Sequence, residues 1–135
     1  MELGSTGTYT HVPNRAICTS TREALSHCHK APESEKALEA RLRREVEKRG
    51  GKAIKLTSQL HRGLPDRMVL MPGGHVWFVE LKTTGKRPTK LQASVHRDLR
   101  AMGFSVFVID CTYGLDALLL LLDDQQAFDK AKERL

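Results

Sequence analysis

The sequence predicts an α/β fold in which a mixed β-sheet is flanked by helices. Three observations lead to this prediction. Periodic patterns follow one another in the order helix, three strands, helix, strand, helix. A Pro-Gly-Gly turn between the second and third strands is typical of a hairpin, and the helix before the fourth strand provides a crossover. A chain of 135 residues suits one domain with a sizeable core.

The first helix is predicted over residues 33–51. Its apolar residues recur every four positions and form one stripe, at Leu38, Leu42 and Val46. Ser34 can cap its start, and the pair Gly50-Gly51 ends it.

Two acids of this helix fall near its apolar stripe at about 100° per residue, namely Glu35 and Glu39. An acid beside the core face is more informative than one that faces water. The ordinary alternative for Glu39 is an exposed pair with Arg43 on the next turn.

Three short segments that alternate with turn signals are predicted as strands, over residues 52–56, 66–71 and 75–82. The loop between the first two carries His61 and Arg62, and the turn of the hairpin is Pro72-Gly73-Gly74.

A second helix is predicted over residues 89–103, with Thr89 as its cap and Gly103 at its end. Its apolar stripe consists of Leu91, Val95 and Leu99. His96 is assigned to a helix face or to a dimer contact.

The chain is predicted to end with a buried strand over residues 104–110 and a helix over 114–135. The helix contains five consecutive leucines, which indicate a core or dimer face. The longest apolar run, residues 117–122, is too short for a membrane span of roughly 20 residues. We expect an intracellular protein, cytoplasmic or in the host cytoplasm if the source is viral.

The chain is divided here into a flexible or loosely docked arm, residues 1–31, and a folded domain, residues 32–135. The arm lacks sustained periodicity and is rich in Ser, Thr and Gly. Its cluster His27, Cys28 and His29, together with Cys18, suggests zinc ligands, but the spacing fits no standard zinc finger. The three cysteines of the chain do not suggest a disulfide framework either.

Three charged residues, Asp66, Glu80 and Lys82, are predicted to converge on one face of the hairpin. Glu80 and Lys82 are two apart on a strand and therefore share a face. Folding the hairpin about Gly73 places Asp66 opposite Glu80, with Cβ atoms roughly 5 Å apart. A register shifted by one residue would place Asp66 beside Leu81 instead.

Two carboxylates side by side in an apolar sheet need a cation between them, unless one stays protonated. Lys82 supplies one cation, and oxygen ligands of this kind suit Mg²⁺ or Mn²⁺. The alternative is an acid at a strand start and an unrelated Glu–Lys pair on an exposed face. The net charge of +6 and the pI of about 9.5 suit a polyanionic partner.

The wider context of these residues resembles the VRR-NUC (virus-type replication-repair nuclease) family of the PD-(D/E)xK nuclease superfamily. The matching stretches are GLPDR (63–67), MPGGHVWFVELK (71–82), the Leu91-Gln92 pair and the first helix. The resemblance covers about residues 33–110. In this chain, Arg87-Pro88-Thr89 precedes the Gln92 helix where the family often has a Ser-Pro-like cap.

The resemblance implies a restriction-endonuclease-like core of αβββαβ order and a role for each matching residue. Asp66, Glu80 and the carbonyl of Leu81 would bind the metal. Lys82 would orient or activate water, or stabilise the charge that develops on the phosphate. Glu39 would be the acid of the first helix, with Glu35 in reserve, and Gln92 would assist the core motif.

Basic residues flank this group on both sides in the sequence and are candidates for binding DNA phosphates: His61, Arg62, Lys86, Arg87 and Lys90. Taken singly, each is more often a solvated surface charge.

The sequence thus predicts a Mg²⁺- or Mn²⁺-dependent DNA endonuclease, and the resemblance suggests branched DNA such as Holliday junctions or flaps, cut by a homodimer. The alternative is a non-catalytic nucleic-acid-binding or dimerisation module on a nuclease fold. A nicking enzyme or an exonuclease is a further alternative.

Overall fold

The computed structural model describes residues 33–134, and within them one four-stranded sheet carries three helices. The predicted arm, with its Cys and His residues, lies outside the described residues. The elements are α1 (Glu35–Lys48), β1 (Lys52–Lys55), β2 (Arg67–Met71), β3 (His75–Leu81), α2 (Lys90–Ala101), β4 (Ser105–Ile109) and α3 (Thr112–Glu133). All seven predicted elements are confirmed, with ends that shift by a few residues.

The sheet is mixed, as predicted. The strands lie in the order β1-β2-β3-β4, with two antiparallel pairs followed by a parallel pair. Helix α2 makes the crossover between β3 and β4 that the parallel pairing requires.

The β2–β3 hairpin has the predicted register. Arg67 pairs with Val79, and Met71 pairs with His75 across the turn. The turn itself requires two residues with positive φ, which Gly73 and Gly74 supply at +90° and +80°. Because side chains alternate along a strand, this register decides which residues share a face.

The two faces of the sheet bury different helices. One face packs against α1 and α3, and its core includes Leu38, Leu42, Val46, Val69, Val79, Leu81, Ile109, Leu115 and Leu118. The other face packs against α2, with Phe78, Leu99 and Val106 at its centre and Met68 and Val95 around them. The sheet therefore separates the surroundings of odd-numbered from even-numbered residues of β2 and β3.

Polar contacts fix α3 against α1. The guanidinium of Arg49 binds both carboxylate oxygens of Asp123, with Nε–Oδ1 at 2.6 Å and Nη2–Oδ2 at 3.0 Å. The backbone carbonyl of Arg49 also accepts a hydrogen bond from Gln126 at 2.7 Å. The hydrogen bond from Arg49 is the main cause that lowers the pKa of Asp123.

The turn after α1 depends on Gly51. A Cβ atom at this position would lie 2.6 Å from the carbonyl oxygen of Leu70 and 2.6 Å from the sulfur of Met71. Only a glycine lets the end of the helix approach the sheet this closely.

The five-leucine run is mostly core. Leu118, Leu119 and Leu122 are buried, Leu121 is half-buried, and Leu120 is 66% exposed. No helix of the described residues is long and apolar enough to cross a membrane.

This division of the leucines can be tested with a matched pair of substitutions. Leu118→Ala leaves a cavity in the core and should lower the free energy of unfolding by about 3 kcal/mol. Leu120→Ala removes an exposed side chain and should change it by less than about 0.5 kcal/mol. Urea unfolding followed by circular dichroism measures both, and equal losses would contradict the described orientation of α3.

Candidate active site

The charged residues singled out in the sequence meet where the ends of β2 and β3 lie side by side. Asp66 directly precedes β2, Glu80 lies within β3, and Lys82 directly follows β3. The Asp66 carboxylate accepts a hydrogen bond from the backbone N–H of Leu81 at 2.8 Å. Asp66 lies one residue beyond the paired part of the hairpin, and its carboxylate interacts with that of Glu80.

Glu80 is completely buried, with 0% of its surface exposed. Its Oε1 atom lies 2.7 Å from Nζ of Lys82 and accepts a hydrogen bond from Nε2 of Gln92 at 2.8 Å. A buried carboxylate is stable only when it is paired and hydrogen-bonded, and these two donors meet that requirement from the strand and from α2.

The amide of Gln92 is oriented by the start of α2. Its Oε1 accepts a hydrogen bond from the backbone N–H of Thr89, while the Thr89 hydroxyl accepts one from the Gln92 N–H. This reciprocal capping box leaves the Gln92 NH₂ group to face Glu80. Thr89 thus caps α2, as predicted.

His96 is a site residue that the sequence analysis missed. It is 1% exposed, and its Nε2 lies 3.5 Å from Oε2 of Glu80. Both of these atoms lack a hydrogen-bond partner among the described residues. The sequence signal was the four-residue spacing from Gln92, which places both side chains on one helix face.

The two carboxyls of the site have pKa values shifted in opposite directions. Burial raises the pKa of Asp66, and the neighbouring Glu80 adds to this, against the lowering effect of the Leu81 N–H. Burial also acts to raise the pKa of Glu80, but the contacts with His96 and Lys82 outweigh it and hold that pKa below its usual range. The surroundings therefore favour the ionised form of Glu80 and disfavour the ionised form of Asp66.

The structure does not bring Glu39 to this group. Its carboxylate is paired with the buried guanidinium of Arg67, on the face of the sheet covered by α1. Glu35, one helical turn earlier, accepts a hydrogen bond from the backbone N–H of Thr83 at 3.0 Å. Thr83 directly follows Lys82, so Glu35 contacts the end of β3 and Glu39 does not.

The predicted phosphate-binding residues lie on two exposed segments. His61 and Arg62 are in the β1–β2 loop, whereas Lys86 and Arg87 lie between β3 and α2 and Lys90 is the first residue of α2. The second segment is anchored to the end of β4, because Asp110 accepts hydrogen bonds from the Thr84 hydroxyl at 2.8 Å and the Gly85 N–H at 3.0 Å.

The donors of the site are chemically suited to a hard divalent cation. Asp66, Glu80 and the Leu81 carbonyl are all oxygen donors, and Oε2 of Glu80 is buried without a hydrogen bond. Among the described residues, no three His, Cys, Asp or Glu side chains are grouped to hold a metal by themselves. Mg²⁺ commonly binds one or two carboxylates and completes its shell with water and substrate phosphate, which fits this donor set.

Comparisons with known proteins find similarity to nucleases. No protein-family model matches the chain. The chain is 45% identical over 76 residues to "Putative nuclease p44" of Acyrthosiphon pisum secondary endosymbiont phage 1, which covers 56% of this chain and 82% of that protein. A solved structure described as "VRR_NUC domain" matches with a TM-score of 0.61 and 31% identity, over 63% of this chain and 92% of that chain. The restriction-endonuclease-like fold expected from the sequence is therefore confirmed.

The raised pKa of Asp66 makes a prediction about stability. A folded-state pKa above the unfolded value means that Asp66 contributes stability below the unfolded pKa, and that this contribution is lost as pH rises through the folded pKa. At pH 7 without divalent metal, the ionised Asp66 is therefore destabilising. Asp66→Asn should raise the thermal midpoint by roughly 2 °C at pH 7 and leave it nearly unchanged at pH 3.

Differential scanning calorimetry in EDTA at the two pH values measures this effect. Asp124→Asn, which removes an exposed carboxylate on α3, is the matched control and should change neither midpoint. A lower midpoint for Asp66→Asn at pH 7 would show that the Asp66 charge is compensated in the metal-free fold.

Proposed function

The chain belongs to the VRR-NUC family, and we propose that it is a Mg²⁺- or Mn²⁺-dependent nuclease that hydrolyses phosphodiester bonds within DNA strands. We assign the activity to residues 32–135. The observation that supports this proposal best is the grouping of Asp66, Glu80 and Lys82 on one side of the sheet, where two carboxylates and an ammonium meet.

In this proposal Asp66, Glu80 and the Leu81 carbonyl hold the divalent ion. Such an ion, when bound, polarises a phosphoryl oxygen and makes a water molecule more acidic. Lys82 is the positioned donor, whose Nζ can hydrogen-bond the attacking water or a phosphate oxygen. Gln92 orients the Glu80 carboxylate through its hydrogen bond, and His96 lies beside the other oxygen of that carboxylate.

The basic residues on the two exposed segments would hold DNA phosphates on either side of the site, with His61 and Arg62 on one segment and Lys86, Arg87 and Lys90 on the other. Phosphate contacts fix position and supply affinity without reading sequence. The net charge of +6 supports a DNA partner in general.

We propose branched DNA, a four-way junction or a flap, as the substrate. A homodimer supports such a substrate because a two-fold axis presents two active sites to two strands. Leu120 and Phe128, each 66% exposed on α3, are candidate contacts of that dimer.

Cleavage of a labelled four-way junction tests the proposal against a linear duplex of the same sequence, with Mn²⁺, Mg²⁺ or EDTA. We expect metal-dependent, symmetric cuts in the junction. Lys82→Ala and Asp66→Asn should each slow cleavage at least about 100-fold, because each removes a group that acts on the developing charge. The matched controls Lys130→Ala and Asp124→Asn change exposed residues of α3 and should leave the rate unchanged.

DNA binding without cutting in any metal, equal for wild type and variants, would refute the catalytic function and leave a DNA-binding module. A closed circular substrate separates the remaining cases, because an exonuclease needs an end.

The contribution of α1 is tested by comparing Glu35→Gln with Glu39→Gln. Glu35→Gln should lower cleavage about tenfold at an unchanged thermal midpoint, because Glu35 lies beside the residue after Lys82. Glu39→Gln should mainly lower the midpoint, because it leaves the buried Arg67 without its counter-charge. A larger loss of cleavage for Glu39→Gln, measured well below its midpoint, would restore Glu39 as the helix acid.

A further inference from the structure

We propose that a groove beside the active site binds an unstacked nucleobase of the DNA strand that is cut. The groove has a volume of about 480 Å³ and lies between the β1–β2 loop and the first turns of α2. This inference rests on the proposed nuclease function and extends it, because it names the feature of the DNA that the site selects.

The groove is continuous with the site through the chain. Leu64 lies two residues before Asp66, and Leu91 directly precedes Gln92. Gly63 has a φ of +86°, and a Cβ atom there would lie 3.0 Å from Cγ of Leu91. The loop backbone therefore rests directly on α2, and each wall of the groove lies within two residues along the chain of a residue of the candidate site.

The lining of the groove is apolar with a basic rim. Its apolar part consists of Leu60, Leu64, Leu91 and Val95, and its polar part of Gln59, His61 and Arg62. Leu60 is 90% exposed and Leu91 is 51% exposed, next to exposed Arg62 and Lys90. Large apolar side chains left in water at the edge of a pocket indicate a surface that a ligand covers.

A nucleobase with its phosphate matches this combination. The flat face of a base is apolar enough to pack between leucine side chains, and the adjoining phosphate suits Arg62 and His61. The side-chain amide of Gln59 offers a donor and an acceptor to a base edge. A base inside duplex DNA is stacked on both faces and cannot enter, so the groove favours DNA with an unpaired nucleotide.

Binding measured without cleavage tests the groove. The full chain with Lys82→Ala, in EDTA, is titrated onto two duplexes of one sequence, one fully paired and one with a single bulged 2-aminopurine. We expect affinity for the bulged duplex to be about fivefold higher, and 2-aminopurine fluorescence to rise on binding. Leu60→Ser and Leu91→Ser, added singly, should abolish the preference and the rise, with affinity for paired duplex within twofold.

Met102→Ser, which changes a 66% exposed apolar side chain directly after α2, is the matched control and should behave like the parent chain. The proposal would be overturned if Leu60→Ser and Leu91→Ser lowered the affinity for both duplexes equally. It would also be overturned if the parent chain showed no preference for the bulged duplex and no fluorescence rise. Variants that keep the DNA preference but sediment as monomers where the parent is a dimer would overturn it as well, because the groove would then hold a second copy of the chain.

These measurements distinguish a failure of base binding in the groove from a failure of the nuclease function. If the wild-type chain never cuts DNA, yet prefers the bulged duplex and shows the fluorescence rise, the groove binds a base and the nuclease function is refuted. If the wild-type chain cuts paired and bulged DNA equally, and Leu60→Ser and Leu91→Ser do not change this, the nuclease function stands and base binding in the groove is refuted.

Discussion

The burial of the Glu80 carboxylate is the constraint on which the rest of the structure depends. A charge with no exposure to solvent is tolerated only where several partners reach it together. Lys82 directly follows the strand that carries Glu80, and Gln92 and His96 come from the helix packed on that face. Hairpin register, capping of α2 and docking of α2 on the sheet must all be correct before all of these partners reach Glu80.

The alternation of side chains along β2 keeps two charge clusters apart. Asp66 faces the side of α2 and Glu80, while its neighbour Arg67 faces the side of α1 and is neutralised by Glu39. If Arg67 reached the Asp66 side, its cation would compete for the carboxylates that a divalent ion requires. The sheet thus keeps Arg67 away from the site, and the cation that contacts Glu80 is the ammonium of Lys82, two residues further along the chain.

The order of elements, the mixed sheet and the hairpin register all follow from the sequence, because they depend on local periodicity, turn residues and side-chain alternation. The grouping of Asp66, Glu80 and Lys82 follows from the same register. The contacts that helices α1 and α2 make with the site do not follow from the sequence. Whether Glu35 or Glu39 reaches the end of β3 depends on the rotation of α1 on the sheet, and the burial of His96 depends on how closely α2 docks. Both are properties of tertiary packing that spacing along one helix cannot determine.

The connection from β3 through α2 to β4 has a consequence for how the chain folds. The three-residue turn at Gly73 closes the β2–β3 hairpin over a short loop, whereas the parallel β3–β4 pair must wait for the whole crossover to form. In that order the two carboxylates approach each other early, with Lys82 as the compensating group that the hairpin itself carries. We expect Gln92 and His96 to arrive later with α2, so that the step that buries the α2 face of the sheet also adds the last partners of Glu80.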